Sequence, residues 1–128
     1  MLKKTISSGS LWEKNFGYSR AVIIGSIIHI AGTTSVDPLG NTIGMNNPYE
    51  QTKYILFKIK KILEGNGFNI KDVVRTRIYV TNMAFSDHIG KAHYEYFKEV
   101  LPVSTMIEIN KLINSELLVE IEAEGIKI

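Results

Sequence analysis

Near the end of this 128-residue chain, Val119-Glu120-Ile121-Glu122-Ala123-Glu124 alternates apolar and acidic residues without a break. A period of two belongs to an extended strand, whose successive side chains leave opposite faces, and to no helix. Such a strand buries one face against a core and turns the other to water or to a partner. The segment Val73–Val80 has the same period, which predicts Val74, Ile78 and Val80 on one face and Arg75, Arg77 and Tyr79 on the other. In 105–111, Thr105, Ile107 and Ile109 oppose Met106, Glu108 and Asn110. The predicted sheet therefore has an apolar face and a face carrying Arg75, Arg77, Glu108, Glu120 and Glu122 beside Tyr79 and Met106. A solvated outer face accounts for this pattern. A subunit interface also does, because charges of both signs pair there while Met and Tyr bury apolar area.

The remaining elements follow from local signals. Residues 20–33 form two β-branched runs around Gly25-Ser26, a short hairpin signal. Asn47-Pro48-Tyr49-Glu50 reads as a helix start: a cap, a proline at the first helical position and a glutamate that reaches back. That helix should run to about Glu64, burying Thr52, Ile55, Leu56, Ile59, Ile62 and Leu63, and stop at Gly65-Asn66-Gly67. Ser86 is expected to cap a second helix, with Ile89, Ala92, His93, Tyr96, Phe97 and Val100 on its buried stripe. Strands at 105–111 and 118–126 complete a ββ-α-β-α-ββ order, with both helices over one sheet face.

Apolar residues make up 45% of the chain and charged residues 22%, which suits one globular domain over 1–128 and excludes a disordered chain. No apolar run reaches the ~18 residues of a membrane span. Met1-Leu2-Lys3-Lys4 is followed by polar Ser7-Ser8-Gly9-Ser10 where a signal peptide needs an apolar stretch, so no secretion signal is expected. With no cysteine there is neither a thiolate metal site nor a cysteine nucleophile, and a reducing cytoplasm is the simplest setting. A net charge of +2 is no basic patch. Lys53, Lys58, Lys60 and Lys61 read as solvated helix flanks with no aromatic platform among them, so nucleic acid is not an expected partner.

Neither the three histidines nor any spacing among them suggests a metal centre, and no cofactor fingerprint occurs. His29 and His93 fall on apolar elements and read as core or interface histidines. The residue types left for chemistry are Tyr18, Arg20, Arg75, Arg77 and Glu120. Arginine holds a carboxylate in bidentate fashion and glutamate orients or deprotonates a water, a pairing suited to binding or hydrolysing a small carboxylate metabolite.

Several segments, in order, resemble the Rid/YjgF family, also called the endoribonuclease L-PSP or translation-inhibitor-like family. They are Gly17-Tyr18-Ser19-Arg20-Ala21-Val22, Ile30-Ala31-Gly32-Thr33, Gln51-Thr52, the whole of Asp72–Val80, Pro102-Val103-Ser104-Thr105-Met106-Ile107-Glu108-Ile109 and Val119-Glu120-Ile121-Glu122-Ala123. The resemblance implies a chorismate-mutase-like α+β fold and a homotrimer whose sheets form a central barrel with clefts between subunits. It implies deaminase chemistry on enamine or imine intermediates such as 2-aminoacrylate, without a cofactor. Glu120 would place the attacking water and Tyr18 shape the cleft. The family's substrate-gripping arginine falls on Ser104, a replacement that costs about 2–5 kcal/mol of binding for a carboxylate. Ser104, Thr105, Arg75 and Arg20 are the candidate substrate contacts, with Arg20 or Arg75 expected to supply the missing charge. Two other functions stay open: a trimer that binds a metabolite without turnover, and, from the family's older name, a ribonuclease.

Overall fold

The computed structural model describes residues 2–128. Strand β1 (Lys3–Ile6) and helix α1 (Leu11–Phe16) come first, then β2 (Ala21–Ile24), β3 (Ile27–Thr33), α2 (Pro48–Glu64), β4 (Val73–Val80), α3 (Ser86–Phe97), β5 (Val103–Glu108) and β6 (Val119–Ile126). The strands make one six-stranded sheet in the order β1-β2-β3-β6-β4-β5. Its neighbours pair antiparallel except β4 and β5, which run parallel because α3 carries the chain back between them. The α+β architecture expected from the sequence is present.

The β2–β3 hairpin turns at Gly25, whose φ of 59° costs glycine no Cβ clash. Helix α2 starts as its sequence dictates, with Asn47 accepting a hydrogen bond from the Glu50 amide at 3.0 Å and Pro48 in the first turn. Its buried stripe of Thr52, Ile55, Leu56, Ile59 and Leu63 packs with Ile28, Ile30, Ile78, Val80, Val119, Ile121 and Ala123 of the sheet. Ile89 and Phe97 of α3 close the same core. Buried Gln51 fixes the start of α2 by donating to the carbonyls of Gly44 and Glu116 and accepting from the Leu118 amide.

Four expectations change. Val74 faces outward and Val73 inward, because the β4–β6 register slips between Val73 and Arg75, a bulge that reverses the side-chain phase at that end. Met106 and Glu108 lie on the helix side: Met106 pairs with Ile78 and packs on the core, and Glu108 pairs with Val80 and accepts from the Met83 amide. Val103, Thr105 and Ile107 therefore share the outer face with Arg75, Arg77 and Tyr79. Being an edge strand with both faces largely exposed, β5 has an alternation that carries little information about which face is buried. Ser86 is the first residue of α3 rather than its cap, and the capping is done one turn earlier by Asn82, which accepts from the Ala84 amide. The left-handed stop after α2 falls within Gly65-Asn66-Gly67 as expected, at Gly67 with φ 80°. Finally, the α2 lysines do interleave with aromatic rings: Lys53 lies over Tyr49 and Tyr96, Lys58 over Tyr54 and Lys61 over Phe57.

Strand β1 and helix α1 are additions to the expected order. The polar run Ser7–Ser10 holds α1: Ser10 caps it through the Trp12 amide, and the buried carboxylate of Glu13 accepts from the Ser7 hydroxyl, the Ser8 amide and the Ser8 hydroxyl. No described helix is long and apolar enough to cross a membrane.

Candidate functional site

Arg20 stands just ahead of β2, where three strands meet. Its amide donates to Ile6 and its carbonyl accepts from Ala31, while its Nη2 donates to the Gly32 carbonyl at 2.6 Å. Strand β3 loses register against β6 between Ile30 and Thr33, and Gly32 lies in that irregularity. The carboxyl group of Glu120, on β6, occupies the space a side chain at Gly32 would need: a Cβ there would lie 2.9 Å from the Glu120 carboxyl carbon and 3.3 Å from its Cγ. Glycine is required here for close approach. The result is a carboxylate laid on bare backbone, with the guanidinium of Arg20 bound to the next carbonyl.

Burial pushes the Glu120 carboxyl above its ordinary pKa; nearby Arg20 opposes the shift and Glu122 adds to it. Among the described residues Glu120 has no hydrogen-bond or ion-pair partner, so its oxygens are available to a water or ligand. The Nε of Arg20 is buried and unpartnered. Behind it, Lys58 of α2 donates to the carbonyls of Thr34 and Val36, each at 2.8 Å, and burial with the adjacent Arg20 charge lowers its pKa to about 8. One cation, Arg20, thus acts on the elevated carboxylate, and Lys58 lies near Arg20 in turn. This combination can bind a small anion and exchange a proton at higher pH than an ordinary glutamate does.

A groove of about 590 Å³ crosses the outer sheet face, with Tyr18, His29, Gly32, Arg77, Glu122 and Glu124 in its wall. Glu120 lies against Gly32 of that wall. Tyr18 is 44% exposed and hangs from the end of α1, its amide donating a hydrogen bond to the Glu13 carbonyl. Arg77 is committed to Glu124 at 2.6 Å and Glu122 at 3.6 Å, while the Tyr79 hydroxyl donates to Glu122. Arg75 faces Glu124 at 3.8 Å, and His29 lies 3.6 Å from that same carboxylate.

Of the residues singled out from the sequence, Arg20 and Glu120 share a neighbourhood and Tyr18 lines the adjoining groove. Arg75 is placed with the acidic ladder instead. Thr105 faces outward on β5 opposite Arg77. The Ser104 hydroxyl faces the helix side, where the Thr76 hydroxyl donates to it at 2.8 Å and lies 2.9 Å from Nε2 of His93. Within one chain, then, Ser104 and Glu120 lie on opposite faces of the sheet. Gly32, Lys58 and Thr76 were not candidates from the sequence. Only Gly32 left a signal, as a lone glycine inside a β-branched strand. Among the described residues no group of three acidic or histidine side chains is placed to hold a metal ion.

The family model for endoribonuclease L-PSP matches residues 13–126. The chain is 37% identical to the uncharacterized protein SCO2049 of Streptomyces coelicolor over 123 residues, covering 95% of this chain and 90% of that one. It is 27% identical to the 3-aminoacrylate deaminase RutC of Acinetobacter baylyi, covering 81% of this chain and 82% of that one. Among solved structures, Rv2704 of Mycobacterium tuberculosis, a member of the YjgF/YER057c/UK114 family, superimposes with a TM-score of 0.88 at 39% identity, over 98% of this chain and all of the other.

Proposed function

Since the chain belongs to the endoribonuclease L-PSP family, the Rid/YjgF proteins, we propose that residues 1–128 form one cytoplasmic Rid domain that hydrolyses a small enamine or imine acid to its oxo acid and ammonia. The observation that carries this reading is the elevated, unpartnered carboxylate of Glu120, lying on Gly32 beside Arg20. In the reaction the ionised Glu120 takes a proton from water as the water oxygen bonds to the imine carbon. The substrate reacts as its protonated imine, so this addition leaves a neutral carbinolamine; Glu120 gives its proton to the carbinolamine nitrogen, the carbon–nitrogen bond breaks and ammonia departs, while the hydroxyl becomes the oxo group and its proton passes through Glu120 to solvent. A group that both accepts and returns a proton works best with a pKa close to the working pH, and burial moves Glu120 upward in that direction. Arg20 supplies positive charge near the substrate carboxylate, and Tyr18 walls the cleft.

The cleft is completed by a homotrimer. Ser104 and Glu120 of one chain lie on opposite faces of its sheet, so a single cleft holds both only if neighbouring subunits contribute one each. Measuring ammonia release from 2-imino acids, generated in place by an amino-acid oxidase, tests the reading. The wild type should exceed buffer and Glu120→Gln should not; equal rates for the two proteins refute the assignment.

A second reading rests on Ser104 standing where the family's deaminases carry arginine: a trimer that holds a small carboxylate without turnover. Stabilisation by 2-oxo acids at millimolar concentration, with no ammonia release above buffer, would select it.

A further inference from the structure

We infer that His93, acting through Thr76, fixes the Ser104 hydroxyl as an outward hydrogen-bond donor, so that this three-residue chain does for an anionic oxygen part of what a guanidinium would do. The inference rests on the proposed small-carboxylate site.

Three side chains form one hydrogen-bonded chain. Thr76 is fully buried in the middle of β4, and its hydroxyl has two polar neighbours, Ser104 Oγ at 2.8 Å and His93 Nε2 at 2.9 Å. A threonine hydroxyl owns a single proton. In the proposed sense Thr76 donates that proton to Ser104, its oxygen accepts from His93, and Nε2 of the imidazole carries hydrogen. The Ser104 oxygen is then occupied as an acceptor from within, and its own proton is free to leave the exposed edge strand toward a ligand. Hydrogen bonds aligned head to tail polarise one another, so the terminal hydroxyl is a stronger donor than an isolated serine.

His93 can also place a full charge behind the chain. Its ring packs on Phe97 at 4.6 Å between centroids and borders a pocket of about 170 Å³ that Tyr94, Lys98 and Leu101 also line. Burial alone lowers its pKa, with no charged group contributing from its own helix, from β4 or from β5. The ring is therefore neutral at pH 7. A carboxylate bound at Ser104 favours the imidazolium two hydrogen bonds away and raises that pKa. By linkage, affinity for the anion increases as pH falls through the His93 titration.

Nitrogen-15 spectra of the imidazole in the ligand-free protein at neutral pH read the direction of the chain. Protonated Nε2 is expected. A ring protonated at Nδ1, with Nε2 accepting, turns the Ser104 proton inward and overturns the inference whatever the protein binds. With 2-oxobutanoate as the probe, ionised throughout, binding in wild type should tighten as pH falls below the ordinary imidazole range, about fivefold once His93 is protonated. Glu120→Gln should keep that dependence, which excludes Glu120 as its source. Ser104→Ala should bind weakly without it, and Thr76→Val should lose it through the broken chain. Binding that ignores pH in the wild type, or a dependence that survives Ser104→Ala, overturns the inference. Absence of 2-oxobutanoate binding with Nε2 protonated instead overturns the small-carboxylate reading, and with it the ligand part of this inference.

Discussion

At the scale of single residues the site turns on a contact that has no side chain on one of its two sides. Gly32→Ala would place a methyl group 2.9 Å from the Glu120 carboxyl carbon. The colliding group is the free end of a flexible side chain, so the fold should survive while the carboxylate swings away. Ammonia release should fall at least about tenfold, since a displacement of roughly 1 Å at a reacting group costs up to about a hundredfold, while circular dichroism stays unchanged. Glu120→Gln removes the proton carrier itself, with an expected loss of about 10²–10⁴ in rate. Wild-type activity should rise as pH climbs through the elevated Glu120 pKa, because the ionised form is the base. Stability runs the opposite way. The folded state holds the Glu120 proton to higher pH than the unfolded chain does, so stability is lost as pH rises through that window, and Glu120→Gln should melt higher than wild type at neutral pH. That difference should vanish in acid below the ordinary glutamate range; a variant that melts lower at neutral pH would contradict the burial argument. The sequence marked Glu120, Arg20 and Tyr18 through residue type and resemblance. It left Gly32 as a motif glycine and Thr76 as an unremarkable strand residue, because a vacant Cβ position and a shared proton exist only once β3, β4 and β6 lie side by side.

Elements were legible where the chain states its own boundaries. Asn47 and Pro48 start α2 in the structure as they do on paper, and Asn47→Ala should cost about 1 kcal/mol of stability, read from denaturant midpoints at constant slope. β4 begins and ends at the residues expected from its period. Legibility failed where tertiary context overrides the local pattern. The bulge that turns Val74 outward is set by pairing with β6, and β5 is an edge strand whose exposed faces carry no clear hydrophobic code. β1 and α1 were missed because four-residue and six-residue elements give too little periodicity to read. Helix α2 also ties down the segment after β3 through Lys58, and that tether titrates. Its pKa of about 8 lies below that of an unfolded lysine. Between the two values the unfolded state binds more protons, so Lys58 costs stability at neutral pH and this cost is relieved as pH rises from about 8 toward that of a free lysine. Lys58→Met should flatten the rise in wild-type stability across that interval. Parallel curves for the two proteins would show that the Lys58 ammonium does not feel its burial.

At the scale of the whole molecule the outer sheet face asks for a partner. It combines an ion-pair ladder, Arg75 and Arg77 against Glu122 and Glu124, with the exposed apolar side chains of Val103 and Ile107 at 57% and 49%. A solvated face would have no use for those valine and isoleucine side chains beside the ladder, whereas an assembly would bury them and let the charges pair across the boundary. The placement of Ser104 and Glu120 on opposite faces leads to the same conclusion from chemistry, since a lone chain leaves each without the other. Sedimentation at micromolar concentration should therefore give three times the 14.4 kDa chain mass. Arg77→Glu sets a third acid beside Glu122 and Glu124 on every subunit, and like charges juxtaposed across an interface are repelled by several kcal/mol. The variant should sediment as a monomer with wild-type circular dichroism and lose ammonia release. Activity that persists in a proven monomer would mean that one chain contains the complete site, and the shared cleft would have to be abandoned.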